Sequence, residues 1–218
     1  MSYTLTTRSK KLLADTLTPV NIYLKLRDVF AGSILLESSD YHGHENSLSL
    51  ICCDPIGSFQ LKDDVISIQY PDRSSVNTKI TAQGQLLIAL DKFRNEFVVP
   101  EADAHSVAKG LFGYMTYDTV RHFEDVELKI TDRLIPDAVY KVYRYVIVVD
   151  HFSNELVLHE NVVNEAEPSG LEKLEMIIYS NRFSTFPFHS GAEEKSNLTN
   201  EQYVEMVKAG IKHCHRGD

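Results

Sequence analysis

A carboxylate and a hydroxyl follow an apolar run near the start of the chain. Glu37 and Ser38 come directly after Ile34, Leu35 and Leu36. In a segment of this kind the apolar residues would form the wall of a pocket, and the carboxylate or hydroxyl would accept a hydrogen bond from a ligand ammonium group. Backbone N–H groups would meet the ligand carboxylate. The segment is therefore a candidate site for a free amino acid.

The next expected strand offers a second wall for the same pocket. Leu48, Ser49 and Leu50 alternate apolar and polar residues on that strand. The plain alternative is a strand end that emerges into solvent, which the spacing alone favours. The candidate binding residues are Leu36, Glu37, Ser38, Leu48, Ser49 and Leu50.

The histidines and cysteines give weaker indications of chemistry. His42 and His44, with Glu45, have donor atoms that bind zinc, but a lone pair of histidines around one residue is more typical of a solvated loop. His213 and His215 lie two positions apart on an expected helix, so their imidazoles point away from each other.

Cys52 and Cys53 lie in an apolar strand, which favours packing over nucleophilic chemistry. The sequence contains no phosphate-binding glycine loop, no G-x-S-x-G and no C-x-x-C motif. We assign no catalytic residue and no metal ligand.

Composition excludes several classes of function. The chain has 218 residues, a net charge of -9 and three cysteines. The negative field disfavours nucleic acid and anionic membranes as partners. The cysteine count favours free thiols in a reducing compartment, and the N-terminal apolar stretch is too short for a signal peptide. We expect a cytoplasmic protein with no membrane span.

The elements that position these residues follow from local patterns. Thr18 is a good helix cap, Pro19 suits the first helical turn, and Gly32 ends the pattern. Further helices are indicated by the apolar spacing of residues 86–93 and 171–178. Strands are indicated at 33–37, 47–53, 59–61, 65–68, 111–117, 139–150 and 156–158. Because short turns join many of these strands, we predict an α+β fold with mainly antiparallel β-sheets and flanking helices.

Near the end of the chain a polar linker precedes another helix. Thr199 and Gln202 have the spacing of a capping box. The sequence therefore predicts two parts, residues 1–186 and a linker with a first helix at 187–218.

Several blocks, in order along the chain, resemble the large subunit (component I) of anthranilate synthases. They are Thr18–Leu26, the Leu-Leu-Glu-Ser of residues 35–38, Ser47–Pro55, Gly113–Asp118 with Arg121, Pro136–Asp137, Ser196–Thr199 and Arg216–Asp218. Thr116 stands where that family has a glycine. Ser47 and Leu48 replace a common arginine and tyrosine.

The resemblance implies a function for the candidate site. In this family the Leu-Leu-Glu-Ser segment lies in the L-tryptophan feedback site, and component I forms anthranilate and pyruvate from chorismate and ammonia with Mg2+. A glutamine amidotransferase subunit (component II) supplies the ammonia. The chorismate and magnesium residues belong to a larger C-terminal domain. The resemblance thus implies an N-terminal regulatory domain that is inactive alone, has no cofactor in this chain, and contacts component II and its own chorismate-binding domain.

Two other functions stay open from the sequence. Aminodeoxychorismate synthase component I shares the fold, although Thr18–Val20 and Leu35–Ser38 favour the anthranilate branch. The other alternative is a non-enzymatic amino-acid-binding or interaction module. The expected last helix has an apolar stripe of Tyr203, Val207, Ile211 and Cys214. This stripe argues against that module, because it needs a surface to cover it.

Overall fold

The structure is a computed structural model that describes residues 2–37, 47–100, 107–126, 128, 134–181, 186–187, 189, 191 and 195–217. The chain divides into two compact units, Met1–Ser184 and Thr185–Asp218. The first unit combines a large antiparallel sheet with three helices, so the predicted α+β class is confirmed.

The strands are β1 Tyr3–Thr4, β2 Thr6–Leu13, β3 Ile34–Leu36, β4 Leu48–Lys62, β5 Val65–Gln69, β6 Ser75–Lys79, β7 Phe97–Val98, β8 Phe112–Met115, β9 Ala138–Asp150 and β10 Glu155–Val162. The helices are α1 Pro19–Arg27, α2 Gln85–Asn95, α3 Leu171–Tyr179 and α4 Asn200–Arg216. Within the described residues, short 3-10 helices also span Val107–Lys109 and Tyr117–His122.

Two long strands organise the sheet. The order is β2-β10-β9-β4-β5-β6, with β3 on the first half of β4 and β8 on the first half of β9. Every pair in this sheet is antiparallel, while β1 and β7 form a separate parallel pair. β4 and β9 are therefore the central strands of the large sheet, each paired with three others, whereas β2 and β6 form its edges.

A bulge bends the middle of β4. The pairing with β9 shifts by one residue between Pro55 and Gly57, and Asp54 has a left-handed φ of 60°. A bulge increases the local twist and redirects side chains. The two halves of the sheet consequently bury different clusters.

Three apolar clusters fill the first unit. The cluster under α1 and α3 contains Ile22, Leu26, Ile51, Cys53, Tyr145, Ile147, Leu158, Leu174 and Ile178. The cluster under α2 contains Leu5, Phe59, Leu61, Ile66, Leu86, Phe93, Phe97 and Val142. The third lies on the opposite face of the first half of β4 and contains Cys52, Ala108, Phe112, Tyr143, Val146 and Val148.

Local chemistry explains where the elements begin and end. The Thr18 hydroxyl accepts a hydrogen bond from the Asn21 N–H at 3.2 Å, and Pro19 begins α1. Asp63 and Asp64 both have positive φ and close the β4–β5 hairpin. Four of the described strands escaped prediction. β1 and β7 are only two residues long, and β2 and β6 are mostly polar strands without an apolar alternation.

The second unit contains α4. The Thr199 hydroxyl accepts from the Gln202 N–H, and the Gln202 side chain accepts from the Thr199 N–H, so the capping box is present. Gly217 ends the helix with a left-handed φ of 77°. None of the described helices is both long and apolar enough to cross a membrane.

Candidate functional site

The β3–β4 pair places part of the predicted site on one surface. Leu36 pairs with Leu50, and Ile34 pairs with Cys52. Directly paired residues of antiparallel strands project on the same side of the sheet. Leu48 lies two positions before Leu50 and joins this side. These residues form an apolar surface, called here the β3–β4 face: Ile34, Leu36, Leu48 and Leu50.

Ser49 lies on the other side of the sheet. Its side chain has no exposed surface, and its Oγ is 2.7 Å from Nε2 of His151 in the β9–β10 turn. Because successive residues of a strand alternate sides, Ser49 cannot line a pocket together with Leu48 and Leu50. The structure therefore brings three of the predicted apolar residues together and separates Ser49 from them.

The β3–β4 face is open at the end that carries the carboxylate. Leu36 is 40% exposed. Glu37 follows it on the surface and makes no hydrogen bond or ion pair with any described residue. Ser38 lies outside the described residues. An apolar floor with an unneutralised carboxylate at its rim can hold an aromatic or aliphatic side chain and accept hydrogen bonds from an ammonium group.

The β3–β4 face continues into the buried third cluster on the same side of the sheet. Ile34, Leu48 and Leu50 pack against Cys52, Val146 and Val148. The Tyr143 hydroxyl donates to the Gly32 carbonyl at 2.9 Å and holds the turn before β3. The face is thus fixed by β4 and β9 and by the end of the α1–β3 turn.

The adjacent cysteines have no nucleophilic role in this arrangement. Cys52 and Cys53 are both fully buried and contribute to opposite clusters, as the strand alternation predicts. Burial raises the pKa of the Cys52 thiol to about 12 and raises the pKa of Cys53 still further. Both thiols are therefore protonated at neutral pH.

Metal-binding chemistry finds no support in the part of the chain that the structure describes. There, no three histidine, cysteine, aspartate or glutamate side chains come close enough to hold a metal ion. The described donors do not fit a magnesium site, so we derive no step through Mg2+. The His42–His44 pair lies outside the described residues. His213 and His215 lie on α4. Side chains two positions apart on a helix point in different directions, so these two imidazoles do not face each other.

A second concave region lies at the β4 bulge, and sequence reasoning missed it. It is a cleft of about 500 Å³ whose lining residues come from β4, β9, β10 and the loops after β5 and β10. It includes Asp54, Ser58, Arg73 and Lys141. Except for Asp54 and Ser58, these residues lie far apart in the sequence, and they form no short motif. They come together only through the register of the sheet and the turns that contain them.

The comparisons with known proteins agree with the resemblance found in the sequence. The family described as "chorismate binding enzyme" matches residues 33–218. The chain is 25% identical over 223 residues to anthranilate synthase component 1 of Lactococcus lactis, covering 96% of this chain and 46% of that protein. It is 27% identical over 219 residues to the Thermus thermophilus protein of the same name, covering 96% and 44%.

A shorter match points to a neighbouring enzyme. The chain is 34% identical over 114 residues to aminodeoxychorismate synthase component 1 of Escherichia coli, covering 51% of this chain and 23% of that protein. The chain spans less than half the length of each of these three relatives.

Proposed function

The chain belongs to the chorismate binding enzyme family, and from this premise we propose that it is the N-terminal part of an anthranilate synthase component I. The observation that carries this proposal is the match of 96% of the chain to proteins of that name in two organisms. The reaction proposed for the whole enzyme is conversion of chorismate and ammonia to anthranilate and pyruvate, with Mg2+. The proposed partners are a glutamine amidotransferase subunit and the enzyme's own chorismate-binding domain.

Within this enzyme we propose that the β3–β4 face binds L-tryptophan as a feedback inhibitor. Leu36 and Leu50 would contact the indole ring. Glu37, which has no partner among the described residues, would accept hydrogen bonds from the ammonium group, together with Ser38. The face is open on one side, so this unit would provide only part of the site and the chorismate-binding domain would close it.

The absence of tryptophan residues permits a direct binding experiment. The chain contains no tryptophan, so fluorescence excited selectively from indole reports on the added ligand alone. By this fluorescence we expect weak or no binding of L-tryptophan to the 218-residue chain. By titration calorimetry, which does not depend on the tryptophan content of the protein, we expect saturable binding to the longer enzyme that contains it. Saturable, tight binding to the 218-residue chain would contradict the partial site.

Inhibition of the longer enzyme tests the residues. We expect the double variant Glu37→Ala and Ser38→Ala to require at least tenfold more L-tryptophan for half inhibition, with little change in uninhibited turnover. Ser49→Ala is the matched control, because Ser49 lies on the opposite side of the sheet. If Ser49→Ala relieves inhibition and the double variant does not, the β3–β4 face is not the effector site.

The second candidate is aminodeoxychorismate synthase component I, favoured by the 34% identity over 114 residues. The two enzymes differ in product, so an assay of the longer enzyme with chorismate, ammonia and Mg2+ separates them. We expect the fluorescence of anthranilate to appear. Formation of aminodeoxychorismate without anthranilate would select the second candidate. The 218-residue chain alone should show neither product.

A further inference from the structure

A row of polar residues crosses three strands at the floor of the cleft beside the β4 bulge. Lys141 of β9 pairs with Ser58 of β4, and Ser58 pairs with Gln69 of β5. Directly paired residues share one side of the sheet, and neighbouring strands are about 4.8 Å apart. The row thus extends roughly 10 Å across the floor. The residues that alternate with it, Phe59 and Ile68, are buried on the other side of the sheet.

Three charged side chains line the cleft without a hydrogen bond or ion pair to a described residue. Lys141 is half-buried, Asp54 is half-buried and Arg73 lies at the exposed rim. None of the three side chains makes a hydrogen bond or ion pair with any residue that the structure describes. A half-buried charge without a partner is unfavourable, because burial weakens its hydration and nothing replaces it. Burial raises the pKa of the Asp54 carboxyl group, and the positive charge of Arg144 opposes this rise.

Two of the five described non-glycine residues with positive φ line the same cleft. Asp54 has a φ of 60° and Arg73 a φ of 67°, in the left-handed region that costs a non-glycine residue about 1 kcal/mol or more. The two residues come from different elements, the β4 bulge and the loop after β5. Such strain persists where the surrounding structure holds it, often at ligand sites. Asp54 and Arg73 thus place one acidic and one basic side chain at the same cleft.

Hydrogen bonds and a close approach hold parts of the cleft wall in place. The Asn161 amide donates to the carbonyls of Ala108 and Tyr143 at 2.8 and 2.9 Å, and its oxygen accepts from the Thr7 hydroxyl at 2.7 Å. On another side the Lys141 ammonium lies against Gly32, where an added Cβ would stand 2.8 Å from Nζ. The cleft has a volume of about 500 Å³. Small-molecule sites range from roughly 300 to 1,000 Å³.

We propose that this cleft binds a small organic acid: its carboxylate lies between Lys141 and Arg73, and a hydroxyl or amino group of the same molecule donates to Asp54. Ser58 and Gln69 supply neutral hydrogen-bonding groups on the floor between the charges. The cleft is formed by other residues than the β3–β4 face, so this inference goes beyond the proposed function and does not depend on it.

Titration calorimetry of the full 218-residue chain at constant ionic strength tests the site with three probes. L-Malate carries carboxylates and a hydroxyl, succinate lacks the hydroxyl, and inorganic phosphate is an anion without a carboxylate. We expect saturable binding of L-malate, at least fivefold weaker binding of succinate, and weaker binding of phosphate. Absence of saturable binding for all three probes would overturn the site. Phosphate binding tighter than malate would overturn the carboxylate assignment, and equal affinities for malate and succinate would overturn the role of Asp54.

Two charge-removing variants test the location. Lys141→Gln and Arg73→Gln should each weaken L-malate binding at least tenfold. Arg73 is exposed in a loop, so its replacement leaves the core intact and gives an answer even if Lys141→Gln unfolds. Lys79→Gln on β6 is the matched control, because it removes the same charge outside the cleft. Equal affinities of Arg73→Gln, Lys79→Gln and the unmodified chain would overturn the site, whatever the tryptophan experiments show.

Discussion

Arg144 and Glu160 form an ion pair in which the carboxylate is completely buried. Arg144 Nη2 lies 2.8 Å from Glu160 Oε1, and Arg144 Nε donates to the same oxygen at 3.1 Å. The Ser169 hydroxyl and the Gly170 N–H also donate to this carboxylate, at 2.7 and 2.9 Å. Burial alone would raise the pKa of Glu160, but these donors outweigh burial and hold the pKa below its usual value. The cluster joins β9 and β10 to the start of α3.

Loss of Arg144 should therefore destabilise the folded protein. We expect Arg144→Ala to lower the free energy of unfolding by about 3 kcal/mol. The variant removes the closer cation from a buried carboxylate and leaves only Arg8, whose Nη1 lies 3.8 Å from Glu160 Oε2. Urea denaturation followed by circular dichroism measures the change. Lys11→Ala is the control, since Lys11 pairs with Glu155 on the surface and such pairs contribute about 1 kcal/mol or less. Equal effects of the two variants would mean that Ser169, Gly170 and Arg8 suffice to hold Glu160.

A buried histidine should give the protein a pH-dependent stability. Burial lowers the pKa of His122, and Arg121 lowers it further against the opposing charges of Asp64 and Asp137. Below about pH 6.5 the unfolded chain binds a proton at this residue that the folded chain does not. The free energy of unfolding should consequently fall as pH decreases below about 6.5, until the lower folded pKa is passed.

The variant His122→Gln isolates this contribution. Its side chain does not titrate, so we expect its stability to fall less steeply than that of the unmodified chain below about pH 6.5. Urea denaturation at several pH values gives both slopes. Parallel slopes would show that His122 titrates alike in the folded and unfolded chains.

Gly113 should not tolerate any side chain. A Cβ there would lie 1.8 Å from the carbonyl oxygen of Val139 and 2.8 Å from its carbon, both atoms of the paired strand. We expect Gly113→Ala to separate β8 from β9 and to lower the free energy of unfolding by about 3 kcal/mol or more. Thermal unfolding provides the measurement.

Gly210 on α4 is the opposite case and serves as the control. A Cβ there meets nothing within 4 Å, and alanine stabilises a helix interior by about 1 kcal/mol relative to glycine. We expect Gly210→Ala to increase the helical signal in circular dichroism. Comparable losses of stability in both variants would contradict the explanation by steric overlap.

The three thiols should differ sharply in reactivity. Cys214 is exposed, whereas Cys52 and Cys53 are buried with raised pKa values. In the native chain we expect one thiol to react rapidly with an aromatic disulfide reagent, and all three to react after denaturation. Cys214→Ser should abolish the rapid phase. A rapid phase that survives this substitution would show that the β4 thiols become accessible in the folded protein.

Much of the fold followed from local patterns in the chain. The Thr18–Pro19 pair predicted the start of α1, and the Lys62–Val65 segment predicted the β4–β5 hairpin. Both predictions succeeded because the residues that determine a helix cap or a tight turn lie within a few positions of one another. β2 was missed because its sequence is polar, and its strand conformation depends on pairing with β10 about 150 residues away along the chain.

The same distinction applies to the candidate sites. The sequence by itself determined the α+β class, the family resemblance and the position of Glu37 at the end of an apolar run, since all of these are read from neighbouring residues and ordered motifs. Only the tertiary structure decided which side chains meet. The β3–β4 register places Leu36 beside Leu50, strand alternation turns Ser49 away, and the bulge at Pro55–Gly57 joins Asp54, Lys141 and Arg73 around one cleft. Register and bulges arise from packing between distant strands, and no local sequence pattern specifies them.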